Sequence, residues 1–141
     1  MFYAQLDARG RVHTICQLSN EIQASNAISI EKYDDSLLGS YYDPQTGIFQ
    51  HIEVSADKTT IKADGIDTAM VTAIVPAVLT EITFYHADTG EAIATVPIDP
   101  ATHTATLQVT ATTPGTIRIR AGEPTDEPTV TWLNEVVINA T

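Results

Sequence analysis

The triplet Asp88-Thr89-Gly90 spells the signature of an aspartic protease. That chemistry needs two such loops, whose carboxylates share one proton among apolar neighbours. Here a single copy stands between His86 and Glu91, and Asp and Gly are the residues a tight hairpin asks for. A turn is the expected reading. Four histidines, His13, His51, His86 and His103, have no i,i+2 or i,i+4 partner, so a zinc site would have to assemble from separate strands. Asp57, Asp64 and Asp67 could gather at one end of a β fold to offer a Ca²⁺ ion some of the roughly six to eight oxygens it takes. The EF-hand spacing is absent, and turn chemistry explains Asp64 before Gly65 and Asp67 at a strand entry. There is no G-x-S-x-G elbow and no phosphate-cradling glycine loop. Arg118 and Arg120, two apart on one strand face, are expected to pair with an acid on a neighbouring strand or to touch an anionic glycan. Asn139-Ala140-Thr141 is a formal glycosylation sequon with no evident use. No catalytic residue, metal or cofactor is expected.

The elements that would position any of these groups belong to a chain of 141 residues, room for one ordinary domain or two small ones. Its 18 acidic and 7 basic residues give a net charge of −11. Such a chain is repelled by nucleic-acid phosphates and by anionic membranes, so neither is an expected partner. The single cysteine, Cys16, excludes an intrachain disulfide and a cysteine-rich metal site. No apolar run reaches the ~18–20 residues that span a bilayer. The opening MFYAQLDARGRV lacks the apolar core of a signal peptide, so a product made in the cytoplasm without one is expected.

Composition shifts along the chain. Residues 1–50 hold two threonines, and residues 51–141 hold nineteen. Four of the five tyrosines come early. Charge is −3 in the first segment and −8 in the second. A boundary near His51 is expected, stiffly joined because no Gly/Ser linker marks it.

The second segment reads as all-β. Ala69, Val71, Ala73 and Val75 share one parity; so do Ala105, Leu107, Val109 and Ala111, then Ile117, Ile119 and Ala121. Threonines and arginines fill the alternate positions, the pattern of strands with one buried face. Breaks at Asp64-Gly65, Val75-Pro76, Asp88–Gly90, Pro97–Pro100, Pro114-Gly115 and Gly122-Glu123-Pro124 give seven or eight short strands. The expected fold is an immunoglobulin-like β-sandwich without a disulfide, with Leu107, Val109, Ile117, Ile119 and Phe84 inside. Trp132 comes too late to be the strand-C tryptophan of antibody domains. The run Val54–Ala69, VSADKTTIKADGIDTA, resembles the opening of bacterial immunoglobulin-like domains of the invasin/intimin type, and Pro114–Ala121 resembles their penultimate strand. The resemblance covers residues 51–141 and implies a spacer or adhesive module.

The first segment is a smaller β-rich module. Phe2, Ala4 and Leu6 alternate with Tyr3, Gln5 and Asp7, and Ala8-Arg9-Gly10 turns the chain into Val12–Leu18. Ala27–Tyr33 reads as a strand, Asp34–Gly39 as one helical turn, and Tyr41–Phe49 as a second hairpin around Asp43-Pro44 and Gly47. The tracts Tyr3–Asp7 and Tyr33–Phe49 resemble an N-terminal module of tailed-bacteriophage and prophage structural proteins. That resemblance implies a non-enzymatic virion protein, tail or tail-fibre associated. It would dock on other virion proteins through residues 1–50, self-associate as a trimer or higher, and display the sandwich toward bacterial surface glycans. A capsid decoration protein and an accessory of a polysaccharide-active enzyme are the alternatives. About 50 residues bury little surface alone, and interfaces enrich tyrosine and phenylalanine. The expected contact residues are therefore Tyr41, Tyr42, Asp43, Pro44, Gly47 and Phe49, with Tyr3 and Tyr33.

Overall fold

Period-two alternation dominates the chain, and the computed structural model, which describes residues 1–123 and 135–141, is all-β apart from one 3-10 turn. The chain divides into two compact units, Met1–His51 and Ile52–Thr141.

In the first unit, β1 (Phe2–Leu6) lies between β2 (Val12–Gln17) and β3 (Ala27–Ile30) in an antiparallel sheet. The β1–β2 turn is closed by the Asp7 carboxylate, which accepts from the amides of Arg9 at 2.8 Å and Arg11 at 3.0 Å. Ala4, Leu6 and Val12 form the core, packed by Ile15, Ile28, Ile30, Leu38, Tyr42 and Phe49. Tyr3 sits on the opposite parity from Ala4 and is also buried, at 2% exposure. Its hydroxyl accepts a hydrogen bond from the Ile22 amide at 3.0 Å. The central strand is thus covered on both sides, which simple alternation does not convey. A 3-10 turn over Asp35–Leu37 is capped by Asp34, and the hairpin of β4 (Tyr41–Asp43) and β5 (Ile48–Gln50) follows.

The second unit is an immunoglobulin-like β-sandwich without a disulfide, its two sheets closing on one apolar core. Its strands are β6 (Glu53–Ala56), β7 (Thr60–Ile61), β8 (Ala69–Ile74), β9 (Glu81–His86), β10 (Ala92–Pro97), β11 (Thr104–Val109), β12 (Gly115–Gly122) and β13 (Val136–Ala140). One sheet has the order β11-β8-β6, the other β10-β9-β12-β13-β7. All pairings are antiparallel except β13 with β7. The opening segment therefore begins in one sheet and ends in the other. Val71, Ala73, Ala105 and Val109 face Ile61, Ile82, Phe84, Ile119 and Ile138 across the core. The expected register holds on β8, β11 and β12, but Leu107 and Ile117 are only partly buried against that core. Gly122, expected in a break, closes β12; Pro124 and Trp132 lie outside the described residues.

Candidate functional site

The residues expected to form a contact surface take two different roles. Tyr41 is 1% exposed, with the Arg11 guanidinium 5.5 Å from its ring centre. Tyr3 is buried as well. Neither ring is available at the surface. Tyr42 and Phe49 are cross-strand partners on the hairpin, ring centres 5.0 Å apart, each half-buried. Tyr33 is 56% exposed and rests edge-on against Phe2 at 6.5 Å. The turn between β4 and β5 is built as its residues ask. Asp43 accepts from the Gln45 amide at 2.8 Å, the Gly47 amide returns to the Asp43 carbonyl at 2.8 Å, and Gly47 takes φ +71°. Pro44 is exposed at its tip. Ile48, which sequence reasoning passed over, is 60% exposed beside it. A cleft of about 290 Å³ opens where Phe49 meets Ile30, Lys32, Asp34 and Leu37. Hydrogen bonds from the Ser36 hydroxyl and amide hold Asp34 below the ordinary carboxylate value.

The groups weighed for catalysis or metal binding are used by the fold. Asp88-Thr89-Gly90 is the β9–β10 turn: the Gly90 amide donates to the His86 carbonyl at 2.8 Å, and Gly90 takes φ +73°. Asp57, Asp64 and Asp67 all accept backbone amides. Asp57 receives Met70 at 2.7 Å, and Asp64 receives Ile66 and Asp67 at 2.8 Å each. Asp67 receives Lys62 at 2.9 Å together with the Lys58 ammonium at 2.9 Å. These bonds, Lys58 foremost for Asp67 and the Asp67 and Ile66 amides for Asp64, lower both carboxyl pKa values. Among the described residues no group of three or more His, Cys, Asp or Glu is placed to hold a metal ion. Arg118 and Arg120 meet an acid as expected. Arg118 binds one oxygen of Glu135 through Nε and Nη2, and Arg120 Nε reaches the other at 3.2 Å. Asp88 adds a 3.4 Å contact to Arg118. The pairing, chiefly the bond from Arg118, lowers the Glu135 pKa, and Glu135 in turn raises that of Arg118.

No family model and no curated protein matches the chain. Solved structures that resemble it include the C-terminal 282-residue fragment of intimin in complex with the intimin-binding domain of the translocated intimin receptor. Identity there is 24% and the TM-score 0.47, over 64% of this chain and 33% of that one. The D0-D1 domain of intimin matches at 26% identity and TM-score 0.42, over 64% of this chain and 45% of that one. The D00-D0 domain of intimin matches at 21% and 0.45, over 86% and 76%. The chain thus spans a third of the first fragment's length and under half of the second's. These structures are intimin domains, not virion proteins, and on them the phage reading is corrected. The tail, tail-fibre and capsid-decoration roles, the virion partners and oligomers, and a virion product made without a signal peptide all fall with it. A physical reason lies in the tract that suggested it. In Tyr33–Phe49, Asp34 caps a 3-10 turn, Gly39 takes φ +83°, Tyr41 is buried, and Asp43 and Gly47 close a hairpin. Such a tract reports how a small β unit folds and not where it works.

Proposed function

We propose that the chain is a non-enzymatic adhesive module, in which Ile52–Thr141 serves as an immunoglobulin-like spacer and Met1–His51 supplies the contact to a molecule on another cell's surface. The observation that supports this most is the apolar surface its first unit leaves outside: Tyr33 and Ile48 are 56% and 60% exposed. Large rigid aromatic rings and apolar side chains are enriched at interface centres. The spacer reading rests on the invasin/intimin-like run Val54–Ala69, whose three aspartates fasten the chain as it crosses between sheets. Within the contact surface, Tyr33, Tyr42 and Phe49 act with the Asp43–Gly47 turn, while Tyr3 and Tyr41 hold it in shape.

Beads coated with the full chain test this on cultured epithelial cells, against beads coated with albumin. Adhesion several-fold above albumin is expected, and a Tyr33→Ser, Ile48→Ser double variant should lose most of it. Adhesion no better than albumin, or unchanged in the double variant, would refute the assignment of contact to this unit.

A further inference from the structure

A two-sheet sandwich leaves edge strands whose backbone groups invite another strand, and proteins guard such edges with charge, proline, bulges or brevity. The edges here are β6, β7, β10 and β11. Three are guarded. β6 is four residues long and opens on the exposed Glu53, and β7 has two residues, set between Lys58 and Lys62. β10 slips register at Ile93 and ends on Pro97. β11 has no such feature. It reads Thr-Ala-Thr-Leu-Gln-Val, pairs with β8 in unbroken register over all six residues, and carries no charge, glycine or proline.

Its open groups can be assigned. The Val75 amide donates to the His103 carbonyl at 3.0 Å, on the β8 side; the Asp99 amide donates to the Thr104 carbonyl at 2.9 Å, on the other. Alternation along a strand then sends the amides and carbonyls of Ala105, Leu107 and Val109 to β8 and those of Thr106 and Gln108 outward. Beyond the Asp99–Thr104 bridge, no strand among the described residues pairs with that side. From this bridge β10 and β11 part into different sheets. Between them opens a cleft of about 290 Å³, lined by Ile93, Val109, Ile117 and Ile119 with the exposed His86 and Gln108.

We propose that the outer edge of β11 receives an extended segment of a partner protein, which adds a strand to the β11-β8-β6 sheet and places one large apolar side chain in this cleft. Only an extended backbone presents donors and acceptors at the two-residue spacing of Thr106 and Gln108. The unit around the edge carries 12 acidic and 4 basic residues, so a segment flanked by lysine or arginine is favoured. A second copy of the chain is disfavoured, since each brings a charge of −11.

The test uses the full chain and a synthetic peptide that alternates valine and threonine around a central phenylalanine, with lysines at both ends. Saturable binding is expected, with amide shifts in NMR spectra confined to Thr106, Gln108, Thr110 and the cleft. N-methylation of the peptide's edge-facing amides should weaken binding at least tenfold while leaving the protein untouched. Gln108→Lys should weaken it several-fold by setting a cation against the peptide. No saturable binding, equal binding of the N-methylated peptide, or shifts elsewhere would overturn the proposal. So would a dimer of the free chain that Gln108→Lys dissolves, because the edge would then belong to a second copy.

Discussion

Asp57 and Met70 hold one another by two hydrogen bonds: the Asp57 amide donates to the Met70 carbonyl at 3.1 Å, and the Met70 amide donates to the Asp57 carboxylate at 2.7 Å. This pair sits where the chain leaves β6 for β7, so it fixes the point at which one segment changes sheets. Asp57→Ala removes the acceptor and is expected to cost about 1–2 kcal/mol, near the lower range for a charge-assisted bond because the site is exposed. Asp57→Asn, which keeps an oxygen, should recover part of that. Urea titration of the three proteins gives the comparison.

Core and face positions should separate cleanly. Ile119 is fully buried, Leu107 partly buried and Thr106 exposed. Ile119→Ala should cost ~2–5 kcal/mol through lost transfer energy and the cavity left behind. Leu107→Ala should fall well below it, and Thr106→Ala should stay within ~0.5 kcal/mol. Equal midpoint shifts for Leu107 and Thr106 would mean the β11 register is misplaced.

Two glycines differ in kind. Gly65 has φ +75°, and a Cβ there would come within 3.2 Å of the Thr112 methyl, whereas Gly115 has open space around it. Gly65→Ala is therefore expected to destabilise by more than ~1 kcal/mol, while Gly115→Ala should be neutral or stabilise by ~0.4–1 kcal/mol through the unfolded chain. Thermal melts of the two variants decide it.

In the first unit, Tyr41→Ser should speed amide exchange throughout β1 and β2, since removing a buried ring costs ~3–5 kcal/mol. Tyr33→Ser should leave exchange unchanged, because its ring is largely in water. Similar protection in both variants would contradict the division between buried and exposed tyrosines.

Acid should weaken the sandwich. The carboxyls of Asp64, Asp67 and Glu135 have folded pKa values below their ordinary ones, so their contribution is present above the unfolded value, near 4. It is lost as pH falls through the folded values, where the unfolded chain no longer binds more protons than the native one. Lys58 and Arg118, raised by their acidic partners, lose their contribution only in strong alkali. The melting temperature should therefore drop below about pH 4, and Glu135→Gln should flatten that drop. An unchanged acid limb in the variant would argue against the ion pairs as its source.

Much of the sandwich was legible because its strands bury one face, and alternation reports a single buried face directly. Ala69, Val71 and Ala73 on β8 and Ala105 and Val109 on β11 were readable for that reason. Tyr3, Thr83 and Tyr85 were not: each has the opposite parity from a core residue on its strand and is buried all the same. The change of sheet between Ala56 and Thr60 leaves no mark on a period-two pattern, because alternation says which side is dry and not which sheet supplies it. Which of the early tyrosines are enclosed was only half legible. Tyr41 and Tyr42 look equivalent in sequence, yet successive residues of a strand face opposite ways, and only the surrounding chain decides that Tyr41 is the enclosed one.

The one parallel pairing has a mechanical consequence. β7 and β13 run side by side in the same direction, tied by the Asn139 amide to the Thr59 carbonyl at 2.8 Å, the Thr141 amide to Ile61 at 2.9 Å and the Ala63 amide to Thr141 at 3.3 Å. Once β6 has been drawn off β8, traction between Ile52 and Thr141 drags these strands past each other, so the three bonds bear the load together. An antiparallel pair pulled from one end would instead release its bonds one at a time. Resistance to such traction is therefore expected to centre on the β7–β13 pair.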